Sequence, residues 1–252
     1  MKKEKSSKKA IIIGASSGIG KALAYELSKN GYTLGLVSRR KELLKDLQKE
    51  LASPVYIKKI DVTNENAPDL LFDLINEMKE VDLIVINAGV GFSDSNKEWI
   101  EDIFTWEKEK ITLLTNVYGF TAMTLAAYHY FLKRKKGHIV GVSSIASLIP
   151  NSYTPAYSAS KAYISNYLEG LRIHAYKSHL PITITDILPG WVYTPMTVRN
   201  EKMFWVASVD LAAKQILDAI KNKKNRAYIT KRWALVPLFL KMIPRFLYKK
   251  IF

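Results

Sequence analysis

The 252-residue chain contains no cysteine. That absence excludes disulfides, thiolate metal sites and cysteine nucleophiles, and it fits a reducing compartment. The chain also lacks any run of about twenty apolar residues, so no conventional membrane span is expected. Its four histidines, His129, His138, His174 and His179, form no His-x-x-x-His pair, and no metal site is expected from them. Acidic residues are scarce beside basic ones, 23 against 38, for a net charge of +15.

The location of that charge says more than its size. Residues 1–9 contribute +4, and residues 221–252, with ten Lys or Arg and no acid, contribute +10, which leaves +1 for everything between. A body that binds nucleic acid would spread positive charge over one face, so nucleic acid is not an expected partner. Basic ends suit either an anionic surface or simple solubility. Met1–Lys9 has the charge of a secretion-signal head, but the short apolar stretch Ala10–Ile13 runs straight into a glycine loop. The expected location is cytoplasmic, either free or peripheral on the cytoplasmic face of a membrane.

What is present is a regular alternation of strand-like and helix-like segments. Ala10–Ile13, Tyr32–Val37, Val55–Ile60, Val81–Ile86, His138–Val142, Pro181–Ile187 and Ala227–Thr230 read as strands. Ile19–Asn30, Lys41–Leu51, Glu65–Lys79, a long stretch from Ile103 to Lys133, Pro155–Ser178 and Val209–Lys221 read as helices. Apolar strands separated by helices predict an α/β fold with a single doubly wound parallel sheet covered on both faces, of Rossmann type. The expected divisions are a basic extension over 1–9, a dinucleotide-binding and catalytic domain over 10–230 and a basic, apolar tail over 231–252.

Gly14-Ala15-Ser16-Ser17-Gly18-Ile19-Gly20 follows the first strand and opens the first helix. Glycine there lets the backbone turn tightly and approach a pyrophosphate, which the helix N-terminus then faces with free N–H groups. Tight strand–helix turns also use glycine for steric reasons alone. The second strand ends Val37-Ser38-Arg39-Arg40, without the acid that would hold a ribose 2′-hydroxyl. Arg39 in that place favours a 2′-phosphate, hence NADP(H), although both arginines could equally begin a solvated helix. Asp61-Val62 ends the third strand within reach of an adenine, where Asp61 could also cap the next segment.

Together these residues resemble the short-chain dehydrogenase/reductase family, from about Ala10 to Met196. Gly14-x-x-x-Gly18-x-Gly20 matches its cofactor loop, and Asn87-Ala88-Gly89 matches the motif after its fourth strand. Asn116, in Asn116-Val117-Tyr118-Gly119, is similar to the family's helix asparagine. Ser144 stands thirteen residues before Tyr157, and Tyr157-x-x-x-Lys161 completes a tetrad. Pro189-Gly190, followed by Val192 and Thr194, resembles the segment that touches the nicotinamide. Ile13 and Ile86 depart from the pattern, which often has threonine and a second asparagine there. That departure bears on a supporting hydrogen bond rather than on the chemistry.

On its own Tyr-x-x-x-Lys is weak, since on the order of two matches arise by chance in a chain this rich in both residues. Tyr25 and Lys29 also fit it, but no suitably placed serine precedes Tyr25. Chemistry explains why the set matters. A phenol with its usual pKa near 10 is a poor acid–base group at neutral pH. A lysine one helical turn away brings positive charge that favours phenolate, and a serine can stabilise charge developing on a substrate oxygen. The resemblance further implies that Lys161 holds the nicotinamide ribose, that Asn116 holds a water linking Lys161 to solvent, and that the protein is a homodimer or homotetramer.

The segment Trp191–Ser208 carries Trp191, Tyr193, Met196, Met203, Phe204 and Trp205. It suits either a bulky apolar substrate, lipid- or steroid-like, or a lid packed on its own core. The tail from Trp233 mixes apolar and aromatic residues with Lys241, Arg245, Lys249 and Lys250, and contains Pro237 and Pro244. It reads either as short helices on anionic lipid or as a segment packed on protein. The expected function is an NADPH-dependent oxidoreductase interconverting a carbonyl and an alcohol. The alternative is a non-catalytic NADP(H)-binding scaffold at a membrane surface.

Overall fold

A computed structural model describes residues 7–92, 105–198, 200, 203–242 and 244. Seven strands form one sheet in the order β3-β2-β1-β4-β5-β6-β7, and every neighbouring pair is parallel. They are β1 (Lys9–Ile13), β2 (Thr33–Ser38), β3 (Val55–Lys59), β4 (Leu83–Ile86), β5 (Gly137–Val142), β6 (Ile182–Pro189) and β7 (Arg226–Ile229). Strands buried on both faces need apolar side chains at every position rather than at alternate ones. Ala10 to Ile13 and Leu83 to Ile86 meet that demand, all of them buried.

The alternation along β1 distributes its side chains between two cores. Ala10 and Ile12 join one layer with Leu23, Leu27, Leu44 and Ile216. Ile11 and Ile13 join the other with Leu71, Phe120, Phe131 and Leu168. The first layer lies under α1 (Gly18–Lys29), α2 (Lys41–Glu50) and α7 (Val209–Lys221). The second lies under α3 (Ala67–Met78), α5 (Phe120–Arg134) and α6 (Pro155–Lys177). The doubly wound sheet expected from the alternation is the observed one.

The long central helix is less regular than its periodicity suggests. α4 (Trp106–Leu113) passes through a π-helical turn, Leu114–Gly119, before continuing as α5. Its expected start at Ile103 lies outside the described residues. After β7 a 3-10 turn, Lys231–Leu235, leads into α8 (Val236–Met242). Pro237 falls in the first turn of α8, where a missing N–H costs nothing, so it opens the helix instead of breaking it. The basic extension up to Ser6 and most of the tail beyond Met242, including Arg245, Lys249 and Lys250, lie outside the described residues.

In a sheet of this kind ligands bind past the carboxyl ends of the strands, where the strand order reverses. Here that point lies between β1 and β4, whose last residues, Ile13 and Ile86, are in register.

Candidate active site

A cleft of about 400 Å³ opens at that reversal. The chain leaves β1 at Gly14, whose backbone has φ +90° and whose missing Cβ would sit 2.6 Å from Ala88 N. Only glycine satisfies both conditions. Asn87 then closes the loop: its Nδ2 donates to Gly14 O at 2.8 Å and its backbone N–H donates to Ile13 O at 2.9 Å. Ile13 and Ile86, the two departures from the family pattern, are simply buried in the core, and the loop keeps its support from Asn87.

Ser17 precedes α1 in extended conformation, and its hydroxyl does not cap the helix. The hydroxyls of Ser16 and Ser17 instead each accept from Arg40 Nη2 at 2.8 Å. A local turn aims Arg40 this way, because Arg40 N donates to Ser38 Oγ at 3.1 Å. Arg39 and Arg40 both line the cleft, with Gly18, Ile19, Asp61 and Val62. Asp61 Oδ1 accepts from Thr63 N and Thr63 Oγ1 at 3.0 and 2.8 Å, so it shapes its own turn as well.

Deeper in the cleft the walls are Ala88, Gly89, Ser144, Tyr157 and Lys161, and beyond them Pro189, Gly190, Val192 and Thr194. Gly20 and Asn116 stand behind this wall. A Cβ on Gly20 would lie 2.1 Å from Gly14 O, so this glycine lets helix meet loop. Asn116 is wholly buried in the π-turn. Its Oδ1 accepts from Val90 N and its Nδ2 donates to Val90 O, each at 2.8 Å, and to Ser160 Oγ at 3.1 Å. The asparagine thereby clamps the loop after β4 against two helices.

Tyr157 and Lys161 lie one turn apart on α6, with Lys161 Nζ 5.6 Å from the Tyr157 ring centre. Lys161 is buried and donates to Val142 O at 3.0 Å. Burial pushes its pKa down to about 8, against the pull of the Asp186 carboxylate. Burial also raises Tyr157 above the usual phenol value, and a hydrogen bond from Ser144 works the other way. Ser144 Oγ accepts from Ala146 N at 3.1 Å and reaches Pro189 O only at 3.4 Å, a weak contact that leaves its hydroxyl proton available.

Three residues matter here that composition and motif did not single out. Arg40 reaches the loop serines. Asp186 on β6 is fully buried and accepts from Ser143 Oγ at 2.5 Å and from Ser165 Oγ, with Arg226 Nε 3.4 Å away. Trp233 packs on Gly190, where any Cβ would come within 2.0 Å of its ring. The first turn of the tail is therefore part of the domain. Among the described residues no group of three or more His, Asp or Glu is placed to hold a metal ion.

The short chain dehydrogenase family model matches residues 8–204. The chain belongs to the short-chain dehydrogenase/reductase family. An uncharacterized oxidoreductase of Myxococcus xanthus is 35% identical over 201 residues, covering 78% of this chain and 77% of that protein. A short-chain dehydrogenase from Sphingobium yanoikuyae, solved in complex with NADPH, superimposes with a TM-score of 0.77 at 22% identity and covers 94% of this chain and 97% of its own. A family member from Burkholderia phymatum, solved in complex with NAD, gives a TM-score of 0.81 at 20% identity, covering 93% and 92%. This short-chain dehydrogenase/reductase is an oxidoreductase of a family that works with nicotinamide dinucleotides. The two neighbours carry different ones, so the choice between NAD and NADP has to be read from this chain's own residues.

Proposed function

We propose that the chain is an NADPH-dependent carbonyl reductase, with Tyr157 donating the proton and a bulky apolar ketone as substrate. The observation that carries the reading is the convergence of Ser144, Tyr157 and Lys161 on one wall of the cleft that the glycine loop opens. The residues present fit a dinucleotide: a glycine turn with no room for a side chain, an uncapped helix start, and a cation over two hydroxyls. Gly14 to Gly20, with Ala88 and Gly89, would hold the pyrophosphate side. Pro189, Gly190, Val192 and Thr194 would hold the nicotinamide side, with Lys161 on its ribose. When bound, the dinucleotide supplies or accepts the hydride.

The protein's own part is the proton and the oxygen. Ser144 Oγ turns its hydroxyl to the carbonyl oxygen and stabilises the charge that grows there. Tyr157 Oη gives that oxygen its proton in reduction and takes it back in oxidation. Lys161, protonated below about pH 8, lowers the cost of the phenolate left behind. Asn116 supports the site from behind through Val90. Arg40, with Arg39 beside it and no acid at the end of β2, supports a 2′-phosphate and hence NADPH. The exposed Met196 on the cleft wall supports an apolar substrate.

One experiment tests the reading: NADPH and NADH oxidation over ketones of graded chain length, for the wild type, Tyr157→Phe and Arg40→Ala. Tyr157→Phe should lose roughly a hundredfold or more in turnover, the usual worth of a positioned acid. Arg40→Ala should raise KM for NADPH and leave NADH unchanged. Wild-type turnover in Tyr157→Phe would sink the assignment of the proton donor, and a wild type that prefers NADH would sink the assignment of the cofactor.

A further inference from the structure

One face of the molecule is apolar, exposed and unused by the reaction. From the loop after Gly190 it presents Phe204, Trp205 and Val206, which are 57%, 41% and 39% exposed. From the end of the chain it presents Leu235, Leu238 and Phe239, which are 49%, 60% and 65% exposed. Spacings of three and four residues put the last three on one side of a helical turn. The two groups adjoin through the buried Trp233, which stands two residues before Leu235 and meets Phe204 and Trp205 with ring centres 5.2 and 5.4 Å away. Large hydrophobic side chains clustered this way on a surface mark an interaction site rather than chance exposure.

The charge around the patch identifies the partner. Arg232 lies over Trp205 at 5.7 Å, and Lys231 beside it is exposed. The chain from residue 221 onward holds ten Lys or Arg and no Asp or Glu. A second copy docked through the same face would set Lys231 and Arg232 against their own copies, since a two-fold interface pairs a patch with itself. Nucleic acid would satisfy the cations and leave the leucines uncovered. A bilayer with anionic headgroups satisfies both, because aromatic and aliphatic side chains enter the interfacial layer while Lys and Arg remain among the headgroups.

We propose that this face docks the protein on anionic lipid, with Phe204, Trp205, Leu238 and Phe239 inserted and Lys231 and Arg232 among the headgroups. The contact is peripheral. α8 has seven residues, about 10 Å of helix, and among the described residues no helix is long and apolar enough to cross a membrane. Trp233 joins the docking face to Gly190, so lipid contact is made by the same rigid unit that forms one end of the cleft.

The test is flotation of the full chain with phosphatidylcholine vesicles, with and without phosphatidylglycerol. The reading requires no turnover, so its outcome is separate from that of the reductase assignment. The wild type should float with the anionic vesicles only, and less as salt rises. Leu238→Asp with Phe239→Asp should weaken partition by about tenfold or more, with the melting temperature unchanged. Leu238→Ala with Phe239→Ala serves if the acidic pair does not fold. Lys231→Gln with Arg232→Gln should weaken it too. Three results would overturn the proposal. One is a wild type that stays with neither vesicle. Another is an aspartate or alanine pair that floats as well as the wild type. The third is a wild-type dimer that the pair converts to monomer without any lipid binding, which would assign the face to a second copy.

Discussion

Asp186 is the buried charge that best explains how a buried lysine stays useful. Burying a cation disfavours it, and Lys161 is accordingly depressed to about 8. The carboxylate of Asp186 pulls in the other direction, and it is held in place by Ser143, Ser165 and Arg226. Ser143 adjoins Ser144, and Ser165 follows Lys161 by one turn of α6, so the carboxylate braces both elements of the proposed site. Asp186→Asn keeps the shape and removes the charge. Lys161 then loses its proton at lower pH, and the alkaline limb of the pH profile should move acidward. An alkaline limb that stays in place, measured as kcat/KM against pH, would show that Asp186 is only structural. Arg40 makes a related point about single residues. Two adjacent arginines are visible in the sequence, but the one that reaches the glycine loop is chosen by the turn at Ser38, a backbone detail with no compositional signature.

At the scale of elements, the strands were legible because a sheet covered on both faces forces continuous apolar runs, and their ends shift by a residue or two from the expected ones. The glycine loop, Tyr157 and Lys161 were legible because each depends on residues close in sequence. The π-turn was not. Helical periodicity runs unbroken through Leu114–Gly119, and the turn's distinguishing contact, the clamp of Asn116 on Val90, spans 26 residues. The packing of Trp233 on Gly190 escaped notice for the same reason, since nothing local marks either residue. The clamp makes a measurable claim. Asn116→Ala leaves the Val90 N–H and C=O without their partner in a partly buried place, which costs about 2 kcal/mol. For a domain of this size that is roughly 4–8 °C of melting temperature. Because Val90 borders the cleft, turnover should fall as well, and Asn116→Asp should recover only part of either loss. A melting temperature within a degree or so of the wild type would mean the clamp carries little of the stability attributed to it.

On the scale of the molecule, the proposed site and an acid-sensitive group occupy opposite ends of the strands of one sheet. The site lies beyond the carboxyl ends of the strands, and His138 lies at the start of β5, buried at the other end. Its Nε2 is 2.8 Å from Thr185 Oγ1, whose hydroxyl donates to Lys224 O at 2.5 Å. A hydroxyl that has given its proton to a carbonyl can only accept from the ring, which fixes Nε2 as a protonated ring nitrogen. Burial, and after it the positive charge of Lys223, push the His138 pKa down to about 4. In the unfolded chain the ring titrates near 6.5. Between those values the unfolded state binds the extra proton, so the stability His138 contributes is complete above about 6.5 and is lost as pH falls toward 4. The difference amounts to about 3 kcal/mol at most, roughly 6–12 °C in melting temperature. His138→Gln keeps an N–H aimed at Thr185 and removes the titration. The variant should lose less stability than the wild type between neutral pH and about 4.5, while its oxidoreductase activity at neutral pH is unaltered. An acid limb of the melting curve identical in the two proteins would place the sensitivity elsewhere in the fold.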